Sequence, residues 1–127
     1  MDKKESQHDN LFDEIMRERA AVLSRLGKAL GDTLETLNAL EKDIQRKMRI
    51  FEEKKQNLGD HFAMSTRKKL CAEINSVIDQ FNLTRRKAQL KYYYFIVTRE
   101  AMGLRHHERV FEIYKLPDKK EKIQDAD

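Results

Sequence analysis

The stretch MRERAAVLSRLGKALGDTLETLNALEKDIQRKMRIFEEKKQNL, residues 16–58, decides the fold. Stepping by seven gives Met16, Leu23, Leu30, Leu37, Ile44, Phe51 and Leu58, a column with no polar residue in it. Such a repeat lines one face of an α-helix with apolar side chains, and that face needs a partner surface. Leu26 and Leu40, three places on from column residues, and Leu34 and Met48, four places on, broaden the face in the middle. Toward Lys54 and Lys55 it narrows to the single column. The pattern extends back to Leu11, with Asp9 or Asn10 placed to cap the helix and Asp9, Asp13 and Glu14 at the positive end of its dipole. At 1.5 Å per residue this first arm is a rod of about 75 Å.

Asn57, Leu58, Gly59 and Asp60 form the clearest stop signal in the chain. Gly59 suits the left-handed conformation that ends a helix, and Asp60 or Ser65 can cap the next one. A second arm then carries the column Ile74, Phe81, Ala88, Phe95 and Met102, flanked by Leu70, Val77 and Ile78. The run YYYFIV at 92–97 has strand-like composition, but a lone strand between helices would have nothing to pair with, so helix is expected through it. Gly103 can end this helix, kink it, or simply be tolerated within it. Beyond it Leu104, His107, Phe111 and Tyr114 continue a helical stripe as far as Leu116 and Pro117.

The expected fold is therefore all-α: an elongated antiparallel helical hairpin with arms 8–58 and 65–115, within a single domain 8–116. Residues 1–7 are expected to be flexible, and 117–127 to form a disordered charged tail. Arms of equal length favour a second arm that is continuous, or only kinked, at Gly103, so that position i faces position 123 minus i. Gly27 and Gly31 would then make room for the bulky residues around Tyr92 and Ile96, and Glu14 and Glu18 would lie near Arg109 and Arg105.

The second arm has another seven-spaced column, Leu83, Leu90, Val97, Leu104 and Phe111, offset by two residues from the first. Two residues turn a helix by about 200°, so this column cannot meet the surface that the first one meets. It is assigned to a partner or dimer interface, most simply a homodimer of hairpins forming a four-helix bundle.

Composition agrees with an extended helical shape. Of the 127 residues 38% are charged and 39% hydrophobic, and there are one Pro and four Gly, against roughly 25% charged in an ordinary domain. The single Cys71 has no internal disulfide partner, and no apolar run approaches the roughly 20 residues of a membrane span. A cytoplasmic protein is expected. Residues 65–115 hold 11 Lys+Arg against 5 Asp+Glu, while 1–64 hold 12 against 13, so the excess of positive charge lies on the second arm. Arg85, Arg86, Arg105 and Arg109 are assigned to charge steering of a partner.

Chemistry-bearing patterns are sparse. His106 and His107 are adjacent, hence about 100° apart on a helix, and neither has a ligand three or four places away. No metal or cofactor is expected. No nucleophile elbow or phosphate-binding glycine loop occurs, and Cys71 lies in line with Ile74 and Ile78 as a packing residue. The expectation is a non-enzymatic coiled-coil interaction module: a scaffold, adaptor or small helical chaperone. The alternative is a nucleic-acid-binding protein using the basic second arm, although no helix-turn-helix spacing, zinc motif or dense basic tail supports it.

Overall fold

The computed structural model describes residues 3–124. Helix α1 runs Lys3–Leu58, a single turn of 3₁₀ helix runs Gly59–His61, α2 runs Met64–Ala101, and α3 is the short helix Glu108–Ile113. Helices α1 and α2 pack against each other as a hairpin, and no strand occurs among the described residues. The tip turns at Gly59, whose φ of +51° lies in the region that glycine adopts without a Cβ penalty. Ala63 occupies the N-cap position of α2, and neither Asp60 nor Ser65 serves as the cap. At the other end α1 is already helical at Lys3, so Asp9 and Asn10 lie inside the helix rather than at its start.

The two apolar columns meet as their spacing requires. Leu30, Leu37, Ile44 and Phe51 of α1 are buried against Ile74, Phe81, Ala88 and Phe95 of α2. Leu30, Leu37, Ile74 and Phe81 are the largest fully buried side chains, each contributing about 1.5–3 kcal/mol relative to exposure. Phe62 closes the tip over Phe51, their ring centroids 5.9 Å apart. The Lys91 ammonium donates to the Thr33 hydroxyl at 2.6 Å, which holds the expected register to within one residue.

The second arm is not continuous to residue 115. It ends at Ala101, where Gly103 takes φ +85°. The Gly103 N–H donates to the Glu100 carbonyl at 2.9 Å and the Leu104 N–H to the Arg99 carbonyl at 3.0 Å, the paired bonds of a Schellman terminus. The turn is tied down by Arg99, which donates through Nε to His107 Nδ1 at 3.3 Å and through its guanidinium to the His106 carbonyl at 3.0 Å. His107 Nε2 lies 3.1 Å from a Glu100 carboxylate oxygen, so a neutral ring protonated at Nε2 satisfies both contacts.

The chain then reverses. Val110 of α3 is buried with Leu30 and Phe95, and Tyr114 packs edge-on to Phe95. This reversal explains Gly27: a Cβ there would meet Tyr114 Oη at 3.2 Å and Phe95 Cε2 at 3.3 Å. With Val110 seated on Leu30, the segment carrying Arg109 is drawn back along the hairpin, and neither Arg105 nor Arg109 pairs with Glu14 or Glu18 among the described residues.

Residues 117–124, expected as part of a disordered tail, instead run in extended form over the hairpin toward its tip, with Leu116 and Ile123 packed on the core. The rest of that expected tail, 125–127, lies outside the described residues, as do 1 and 2.

Candidate interaction site

Three surfaces carry the recognisable chemistry. The first is the outer face of α2. Leu83, Leu90 and Val97 are 48%, 54% and 42% exposed, and Tyr94, one turn beyond Leu90, is 51% exposed. They lie roughly opposite Phe81, Ala88 and Phe95, about half a helical turn from the core. Helix α1 covers none of them, and the C-terminal segment approaches only Leu83, which shares a hollow with Lys119–Lys122. Leu104 and Phe111 are exposed as well, but they lie beyond Gly103 and do not extend this stripe; Phe111 instead stacks on Tyr92, 5.9 Å between centroids. Of the five expected interface residues, three therefore share one helix face.

The second surface is the free end of α1. Because α2 stops at Ala101, the first part of α1 projects past it. Glu18, Arg19 and Val22 sit across from Thr98, Ala101 and Met102 at the mouth of the hairpin, and residues farther toward the N-terminus have no helix opposite. Leu11, Phe12, Ile15 and Met16 are all exposed there. The core column thus runs off the end of its partner.

The third surface is the groove beside α2 that holds the C-terminal segment. Asn75 and Asn82 each grip one residue of that segment at both backbone groups. Asn82 Nδ2 donates to the Lys120 carbonyl at 2.8 Å, and the Lys120 N–H donates to Asn82 Oδ1 at 2.9 Å. Asn75 does the same to Ile123, at 3.0 and 2.8 Å. Arg85 Nε donates to the Pro117 carbonyl at 2.7 Å. The Lys120 ammonium pairs with Glu41 and lies 5.1 Å from the Phe81 ring centroid. Ordering residues 116–123 costs on the order of 1 kcal/mol each. Five backbone hydrogen bonds at about 1 kcal/mol each, with Leu116 and Ile123 at about 2 each, return nearly the same amount.

Asn75 and Asn82 were not singled out by apolar periodicity or by any motif. Their signal is that two residues of poor helix propensity stand seven apart along the flank of an apolar face.

The residues assigned to charge steering divide. Arg86, Arg105 and Arg109 are exposed, whereas Arg85 is half-buried and bound to the segment backbone. Cys71 is buried in the core cluster. Among the described residues no three His, Cys, Asp or Glu side chains converge as a metal site would require, and no helix is long and apolar enough to cross a membrane. Burial raises the Tyr92 phenol above its ordinary range, and its hydroxyl donates to the Val110 carbonyl at 3.4 Å. No protein-family model matches this chain, and no curated protein or solved structure matches it.

Proposed function

We propose that this chain is a non-enzymatic interaction module, a scaffold, adaptor or small helical chaperone that presents an apolar helix face to another helix and pairs with a second copy of itself. The observation that carries this is the uncovered stripe Leu83, Leu90, Tyr94 and Val97 on the far side of α2 from the core. A contiguous apolar stripe on a helix is the chemistry of helix-in-groove recognition.

The free end of α1 is the fitting occupant. Its apolar stretch, 11–22, is about 16 Å long and the α2 stripe, 83–97, about 21 Å. The stretch 11–22 holds Asp13, Glu14 and Glu18 against Arg17 and Arg19, a slight excess of negative charge, while the outer face of α2 carries the exposed Arg86 and Lys87 and no acidic residue between 83 and 97. A two-fold pairing that lays each free end along the other copy's α2 uses both surfaces twice. A parallel side-by-side pairing of the two α2 faces would set Arg86 and Lys87 against their own copies, which like charge disfavours. Alanine at both Leu90 and Val97 tests this: association should be lost while the helical content stays.

Nucleic-acid binding is the weaker alternative. Arg85, Lys91 and Arg99 donate to groups inside the fold, which takes three of the eleven basic residues of 65–115 out of a basic outer face.

A further inference from the structure

We propose that the groove beside α2 is a binding site for an extended segment of a partner protein, one with a lysine three residues before an aliphatic residue, and that the chain's own residues 116–123 occupy it as an internal ligand. The two asparagines form a device for reading extended backbone. Asn75 and Asn82 are seven residues apart on a helix, a rise of about 10.5 Å. Lys120 and Ile123 are three residues apart in extended chain, a span of about 10 Å. The spacings agree, and each asparagine amide offers one donor and one acceptor to a residue's C=O and N–H. Those bonds do not depend on the side chains being held.

Selectivity comes from two other places. Glu41 and the face of Phe81 receive a cation, here the Lys120 ammonium. Ile123 enters the apolar cluster, and beside it a hollow of about 520 Å³ lined by Ile44, Met48 and Ile78 continues the groove. The segment itself is charged and otherwise exposed: Asp118, Lys119 and Glu121 are exposed, and Lys122 makes an exposed ion pair with Asp79 at 3.4 Å. The segment is thus held by five backbone hydrogen bonds, two apolar side chains and two ion pairs, contacts that a second extended chain of the same pattern can make in its place. Of the outer stripe only Leu83 borders this seat; Leu90 and Val97, on which the association is tested, lie outside it, so the two proposals fail separately.

The test uses the full-length chain and a fluorescent peptide of residues 115–124. In the variant Lys120→Glu with Ile123→Glu the internal segment is displaced, and the peptide should bind saturably, at least tenfold more tightly than it binds the unaltered chain. Adding Asn75→Ala and Asn82→Ala should abolish that binding. A displaced variant that keeps its helical circular dichroism and binds no peptide would overturn the proposal. If the variant loses its helical signal, the unaltered chain decides: excess peptide should accelerate hydrogen exchange at the Lys120 and Ile123 amides, and unchanged protection would overturn the proposal. Cysteines placed at Asn82 and Lys120 should crosslink within one chain. Crosslinks found only between chains would overturn it too, since the occupant would then be a second copy.

Discussion

Asn82 and Lys120 exchange two hydrogen bonds across 38 residues of sequence, 2.8 Å from amide to carbonyl and 2.9 Å from backbone N–H to amide oxygen. That pair, repeated by Asn75 and Ile123, turns a run of charges into an ordered third layer. Truncating Asn82 to alanine removes both bonds, each worth about 1 kcal/mol net. Hydrogen exchange at the Lys120 amide should accelerate roughly 30-fold, with little change in the unfolding midpoint of the hairpin. Unchanged protection at that amide would mean the segment is held by something other than the asparagines.

Gly27 and Gly31 should respond to alanine with opposite signs. Alanine is favoured over glycine inside a helix by about 1 kcal/mol. At Gly31 the added Cβ would meet only Tyr114 Cε1 at 3.6 Å, an ordinary contact, so Gly31→Ala should raise stability in urea. At Gly27 it would press on Tyr114 Oη at 3.2 Å and on the packed Phe95 ring at 3.3 Å. Gly27→Ala should therefore gain nothing or lose stability. Equal stabilisation at both positions would contradict the packing of Tyr114 between α1 and α2.

The hairpin was legible because its cause is local and periodic: an apolar residue every seventh place on each arm, and a glycine stop between them. Even the register was readable from the sequence, with Gly27 opposite Phe95 where Ile96 was expected. What misled was Gly103. Two arms of equal length favour a second arm that is continuous or only bent at Gly103, but the equality comes from counting a segment that turns back. Continuing the helix would leave Val110 and Tyr114 without the Leu30 and Phe95 surfaces on which they pack. A glycine that tolerates φ +85° lets the chain choose that burial instead. The C-terminal segment was illegible for a different reason. Its composition is that of a solvated tail, and its order comes from backbone bonds to Asn75, Asn82 and Arg85, which leave no hydropathy pattern. Seven-fold spacing keeps Leu83, Leu90 and Val97 on one exposed face of α2, whereas Leu104 and Phe111 leave that face, because spacing has meaning only while the helix lasts.

Tyr92 gives a pH signature of the reversal. Burial beneath the returning segment favours its neutral phenol, so its pKa is raised in the folded chain. The stability this provides is present below the unfolded tyrosine value of about 10 and is lost as the pH rises through the higher folded value. In an absorbance titration Tyr92→Phe should remove a component that ionises later than free tyrosine, and it should flatten the alkaline loss of stability. If the substitution lowers only the amplitude of the titration curve, with no late component missing, Tyr92 is not covered in solution.

The association claimed for the outer face of α2 is tested most directly by mass in solution, measured by light scattering behind a sizing column. The unaltered chain should appear at about twice its 15.1 kDa, and Leu90→Ala with Val97→Ala should bring it to the monomer value with its helical signal intact. A double variant that remains at the dimer mass, or an unaltered chain that stays at 15.1 kDa at every concentration, would contradict the account.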